Sequence, residues 1–344
     1  MKIQNNIFSY ATAELSQDAF LCWFFSFARQ DLKAIEEDPD GKISALAKKF
    51  LRDAWPEKLG NLSDADLNVS AVLRQYKNID VLVKVNEIYN IIIEDKTGTN
   101  VHNDQINVYA KSLMDDNMPQ ENICCVFYKT MEQSWKEPNT VNRTRQDMLA
   151  LLNQYDGDNM ILLSYRQHLQ DMEDASSVWR HKPTEQWDSW AWMGFFRHLS
   201  ENGLVDYHGK CDGYGYVPNP SGGFHALWWE CWRDGDWQLL KDKGLAPAID
   251  NLYLQMTSEG RIYLRYHCVK KHYSVNVRKW TESWFARHFR EKYGIDFILP
   301  ARRSPGTTGA IGFIPFCKEN YKEIVAAMEA ARNTFLKSPD KFPE

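Results

Sequence analysis

Asp80-Val-Leu-Val-Lys-Val-Asn-Glu-Ile-Tyr-Asn-Ile-Ile-Ile-Glu94-Asp95-Lys96 is the stretch on which the reading of this chain turns. Two β-branched runs flank a polar break at Asn86 and Glu87, the pattern of a β-hairpin. A turn centred on Glu87 sets Asp80 opposite Glu94. Side chains alternate along a strand, so Ile92, Glu94 and Lys96 share one face while Ile91, Ile93 and Asp95 share the other. Asp80, Glu94 and Lys96 therefore converge. Two carboxylates side by side in an apolar strand pair repel each other and lose hydration unless a cation sits between them. Hard oxygen ligands suit Mg²⁺ or Mn²⁺ rather than zinc. Lys96, aimed at the same spot, can hold an attacking water or offset charge on a phosphoryl group. The plainer reading of the same residues is a strand pair carrying a surface salt bridge.

Thr97-Gly98-Thr99-Asn100 closes the hairpin, and Asn103 or Asp104 can cap a helix carrying Gln105 and Tyr109. At i and i+4 these two lie on one helix face. Upstream, Ser16 can cap a helix running through Arg29, with Phe20, Trp23, Phe24 and Phe27 at helical spacing. Glu14 at its start suits either the helix dipole or a metal.

An Asp on one strand, a Glu-x-Lys on the next and a Gln-x-x-x-Tyr on the following helix resemble the PD-(D/E)XK nuclease superfamily, in its RecB-like branch. Asp80, Glu94, Lys96, Gln105 and Tyr109 match those positions, and the helix after Glu14 looks like the group's opening helix. The resemblance covers residues 8 to about 170. It implies a restriction-endonuclease-like core in which Asp80 and Glu94 hold Mg²⁺ or Mn²⁺, with the carbonyl of Asp95 and with Glu14. It implies that Lys96 positions the water and that Gln105 and Tyr109 contact the substrate phosphate or fix Lys96. Products would carry 5′-phosphates.

The surrounding pattern is that of an α/β protein with a mixed central sheet flanked by helices. A helix is expected over 43–55, another over 144–154, and buried strands at Ile123–Tyr128 and Met160–Tyr165. Beyond Asp174 the composition shifts, and ten of the thirteen tryptophans lie between Trp179 and Trp284. Two domains are expected, 1–174 and 175–344, the second an α+β unit with an antiparallel sheet. In it, 183–198 reads as a helix, Gly213 to Gly223 as loops, and 224–232, 252–257, 261–268, 296–299 and 310–316 as strands. Helices are expected over 277–293 and 319–336.

The net charge is −5, so a polyanion would have to be held locally. Residues 261–303 carry eleven Lys or Arg and three acids. Arg287, Arg290 and Lys292, with Trp280 and Trp284, and the loop residues Arg302 and Arg303, are the candidate nucleic-acid contacts. The tryptophans serve a core equally well. Seven cysteines at irregular spacing, without a Cys-x-x-Cys, argue against a disulfide framework or a zinc site. No apolar run approaches the ~20 residues needed to span a bilayer. The expectation is a cytoplasmic Mg²⁺-dependent nuclease acting on nucleic acid, DNA first, without membrane contact. A homo-oligomer stays open as a partner. The rival expectation is a nuclease-like scaffold, without catalysis, that binds nucleic acid or a protein.

Overall fold

The computed structural model describes residues 3–343 except 4, 12, 32–36, 98–104, 133, 135, 136, 203–211, 220, 221, 247, 269–274 and 302–306. The chain divides into two compact units, one of 1–131 and 136–174, the other of 132–135 and 175–344.

The first unit opens with α1 (Glu14–Ser26), α2 (Lys42–Ala54) and the short α3 (Pro56–Leu59). Ala13 is the N-cap of α1 and makes no side-chain cap bond, so the helix starts at Glu14 and Ser16 lies in its first turn rather than capping it. Three antiparallel strands follow, β1 (Val69–Tyr76), β2 (Ile79–Val85) and β3 (Tyr89–Lys96). Lys77 and Asn78, both at positive φ, turn β1 into β2. Asn86 and Glu87, also at positive φ, turn β2 into β3, and Ile88 N–H donates to Val85 O across them at 3.1 Å. This turn pairs Val85 with Tyr89 and Val81 with Ile93, the register expected for a turn centred on Glu87.

After α4 (Gln105–Met114), β4 (Ile123–Lys129) runs parallel to β3, and β5 (Val141–Thr144) parallel to β4. The sheet is mixed, in the order β1-β2-β3-β4-β5. Thr144 caps α5 (Arg145–Leu152) in a reciprocal capping box with Asp147. The run from Met160 is not a strand but the start of α6 (Met160–Ser177), where Asn159 Oδ1 accepts from the N–H groups of Ile161 and Leu162. Ile91 and Ile93 pack with Phe20, Phe24 and Phe25 of α1 on one face of the sheet. Leu82 and Ile92 pack with Tyr109 and Leu113 of α4 on the other.

The second unit holds α7 (Ser189–Glu201), β6 (Gly213–Val217), β7 (Phe224–Trp229), α8 (Asp236–Asp242), β8 (Asn251–Thr257), β9 (Arg261–His267), α9 (Val275–Tyr293), β10 (Thr308–Pro315) and α10 (Tyr321–Lys337). Its sheet, ordered β10-β9-β8-β7-β6, is antiparallel throughout. Gly213 to Val217, expected as loop, forms an edge strand in which Gly213 sits opposite Trp228. The strand expected at 296–299 reduces to a single bridge between Ile298 and Phe313. Trp179, Trp187, Trp192, Trp229 and Trp284 are buried in one core with Phe195, Phe285 and Phe335. The residues 132–135 belong here: Glu132 pairs with Arg197 at 2.8 Å, and Ser134 bonds both the N–H and the O of Tyr214.

Gly194 of α7 lies so close to Ser176 that an added Cβ would stand 1.7 Å from its carbonyl oxygen. Gly194→Ala, which helix propensity alone would favour, should therefore destabilise the protein by roughly 2–4 kcal/mol. Denaturant melts of the variant check this, and a stability equal to or above the parent's would rule out the close approach.

Candidate metal centre

β2 begins beside the end of β3, so the pairing that aligns Val81 with Ile93 brings Asp80 beside Glu94. Lys96 Nζ stands 2.6 Å from Glu94 Oε1 and 3.7 Å from Asp80 Oδ2. Glu14 reaches the same ammonium from the first turn of α1, with Oε2 at 3.7 Å, while its Oε1 accepts the N–H of Thr97 at 3.3 Å. The four residues thus meet as the sequence suggests. Glu94 is fully buried and Lys96 nearly so.

Asp95 points to the opposite face of β3, toward α1, and there it meets a residue that sequence reasoning missed. Asp18, one turn after Glu14, is buried, and its carboxylate, that of Asp95 and that of Asp80 hold oxygens within 4.8 Å of one another. The i, i+4 spacing of Glu14 and Asp18 was the available signal. Gln75 bridges the cluster, donating to Asp18 Oδ2 at 3.1 Å and to Asp80 Oδ1 at 3.2 Å. Asp80 Oδ2 also accepts the N–H of Asp95 at 3.3 Å, so Asp80 touches both halves of the site. The side chain of Asp95, not only its carbonyl, is thereby a ligand candidate.

Electrostatics follow from burial. The Asp95 carboxyl is pushed up to about 10, first by burial and then by Asp18 and Asp80. Glu94 is pushed up to about 8 by burial, which outweighs the contact with Lys96. Asp80 is raised for the same reason, against the opposing pull of Lys96. Burial works against the charge on Lys96, but Glu94, Asp80 and Glu14 override it and hold the ammonium above the ordinary lysine range. Lys129, the parallel-strand neighbour of Lys96, is buried and pulled down to about 8 by burial; Glu14 opposes that shift and Lys96 adds to it.

Three observations test whether these residues fit a divalent cation. Both oxygens of Asp95 and Oδ1 of Asp18 are buried with no donor from any other residue, so that these oxygens have only each other. The donors are all carboxylate oxygens, the set that hard cations take. Arg74, 3.8 Å from Asp18, and Lys96, against Glu94, Asp80 and Glu14, offset only part of the charge these five acids would carry when ionised. The residues fit.

Gln105 and Tyr109 form a pair of their own, the amide of Gln105 donating to the Tyr109 hydroxyl. The ring of Tyr109 is buried among Ile79, Leu82 and Ile92, and burial raises its pKa, with Glu94 and Asp80 adding to the effect. Lys96 is held by Glu94, Asp80 and Glu14, and neither Gln105 nor Tyr109 bonds it, which leaves contact with a substrate phosphate as the expected role of the pair. In the second unit, Arg287 and Arg290 are exposed on α9 and make no ion pair among the described residues. Trp284 is core, stacked on His288 and donating to Asp340 Oδ2 at 2.7 Å. Trp280 packs against Phe335 and Phe342. Arg302 and Arg303 lie outside the described residues.

Two outcomes follow. Asp18→Asn removes one of three crowded carboxylates, so it should raise the melting temperature of the metal-free protein while weakening Mg²⁺ binding. An unchanged Mg²⁺ affinity by calorimetry would remove Asp18 from the ligand set. The second concerns pH. With Glu94 and Asp95 raised to about 8 and about 10, the metal-free folded state holds more protons than the unfolded chain above the ordinary carboxyl range. Stability should therefore fall as pH rises from about 5 to about 8, and saturating Mg²⁺ should flatten that slope. Melts in EDTA that show stability rising over this window would contradict the assignment.

No helix among the described residues is long and apolar enough to cross a membrane. Compared with known proteins, the chain matches no family model, no curated protein and no solved structure.

Proposed function

We propose that the chain is a divalent-metal-dependent nuclease that hydrolyses phosphodiester bonds in nucleic acid, DNA first. The observation that carries this reading is the buried Lys96 ammonium, 2.6 Å from Glu94 and 3.7 Å from Asp80, beside buried carboxylate oxygens of Asp18 and Asp95. Asp80, with Asp18, Asp95 and Glu94, would hold Mg²⁺ or Mn²⁺. Such an ion supplies Lewis acidity toward a phosphate oxygen and acidifies a bound water.

The chain's own residues do the rest. Lys96 stays cationic at neutral pH, so it serves as a donor and not as a base: it orients a water or a phosphate oxygen and offsets charge that grows in the transition state. Glu14 ties the ammonium to the Thr97 backbone, which fixes the end of β3 against α1. The Gln105–Tyr109 pair closes the α4 side, where a phenol held neutral can donate to a phosphate oxygen. Arg287 and Arg290, exposed and without ion pairs among the described residues, suit nucleic-acid phosphates.

The direct test is cleavage of mixed DNA and RNA substrates with Mg²⁺, with Mn²⁺ and in EDTA. Metal-dependent products ending in 5′-phosphate are expected, and intact substrate under both metals would overturn the reading. Lys96→Met should lower turnover by about 10²-fold or more, the scale for loss of one preorganised donor. It should also destabilise the metal-free protein, because Glu94 loses its counter-charge. Turnover within a few fold of the parent's would exclude the role. Replacing Arg287 and Arg290 with Gln should weaken binding to a catalytically silent Asp80→Asn background and reduce the salt slope by about two. An unchanged slope would exclude phosphate contact by this helix.

A further inference from the structure

The outer face of the second sheet carries a built pocket that the cleavage chemistry does not use. On β8 and β9, Leu254, Met256, Ile262 and Leu264 point into the core. The intervening Gln255, Thr257, Tyr263 and Arg265 therefore share the opposite face. With Phe224, Glu259, Pro300, Gly309 and Ala310 they line a cavity of about 230 Å³.

Its chemistry is lopsided. Arg265 donates from Nη1 to Gln255 Oε1 at 3.0 Å, and its Nε is buried with no acceptor. Among the described residues no carboxylate stands within ion-pairing distance of Arg265, whereas neighbouring Arg261 is paired with Glu259 at 2.6 Å. A half-buried guanidinium without a counter-anion is costly, and an anion beside it lowers that cost. Gln255 is 6% exposed, and because its oxygen already accepts from Arg265, its amide N–H groups are left to donate. Glu259, which also lines the cavity, is neutralised by Arg261, so the polar groups left for a ligand are mainly donors. Tyr263 and Phe224, both half-exposed, supply flat apolar walls. The volume lies below the usual range for drug-sized ligands, roughly 300–1,000 Å³. It suits one aromatic base with part of its sugar phosphate reaching past the open mouth, and not a folded chain.

We propose that this pocket binds a single nucleotide, its base against the aromatic walls and its phosphate or carbonyl acceptors on Arg265 and Gln255. The nucleotide is either free or one unstacked residue of a single strand, since both present the same groups. The site is separate from the carboxylate centre and needs no metal.

The test uses the full chain in EDTA, so that cleavage plays no part. Calorimetry compares a purine nucleoside 5′-monophosphate, the uncharged nucleoside, inorganic phosphate, and a short single-stranded oligonucleotide. The mononucleotide should bind at least tenfold more tightly than phosphate or nucleoside alone. An oligonucleotide that outbinds the mononucleotide marks the strand as the ligand, and the reverse marks the free nucleotide. Arg265→Gln should weaken either by about tenfold or more, the scale of a charge-assisted bond, while Arg265→Lys should recover part of the loss. Because binding is read in EDTA, failure of the cleavage reading leaves this result untouched. If Arg265→Gln melts early, photolabelling of the parent by an azido-nucleotide followed by peptide mapping decides: label on peptides spanning 253–265 supports the site. Absence of binding, equal affinity for phosphate and nucleotide, or label confined to other peptides would overturn it.

Discussion

One ammonium group governs the first unit. Lys96 sits where Glu94, Asp80 and Glu14 converge, and without it a fully buried Glu94 would face Asp80 with nothing between them. Burial alone would favour the neutral amine, so the charge persists because three acids surround it. That arrangement fixes the end of β3, and through Glu14 and Thr97 it ties the strand to α1. The acids in turn stay crowded, which a well-packed apolar substitute would avoid.

The geometry depends on a property of sheets that is easy to overlook. Alternation sends Glu94 and Lys96 toward α4 and Asp95 toward α1, which would separate them into two unrelated clusters in the middle of a strand. At the strand end the faces are no longer partitioned by neighbours, and Asp80 can accept from the Asp95 backbone while standing beside Lys96. Gln75, at positive φ near the end of β1, bridges Asp80 to Asp18 of α1. The centre is therefore a rim, and its members come from α1, β1, β2 and β3.

The parts legible in the sequence are those set by local pattern. A polar two-residue break between β-branched runs fixed the hairpin register, and from it the meeting of Asp80 and Glu94. The part played by Asp18 was not legible, because its side chain reaches the centre only through the docking of α1 on the sheet. The run from Met160 misled because an apolar stretch has no period of its own: the helix is revealed by its continuation to Ser177 and by Asn159 at its start. Gly213 and Gly215 looked like loop because glycine is a poor strand former, yet both lie opposite strand residues, Trp228 and Ala226, on β7. The tryptophan cluster announced a second core without saying which faces would close it.

The excursion of residues 132–135 has a consequence for synthesis. Chains emerge from the ribosome N-terminus first, and domains generally fold as units. Here the four residues leave the ribosome with the first unit, although Arg197 and Tyr214, their partners, follow more than sixty residues later. Glu132, nearly buried in the finished protein, must remain solvated until then. The first unit can close its sheet while this tether waits, and the second unit is completed by a piece of chain made before it. Separate expression of 1–174 and 175–344 would leave that piece with the wrong half.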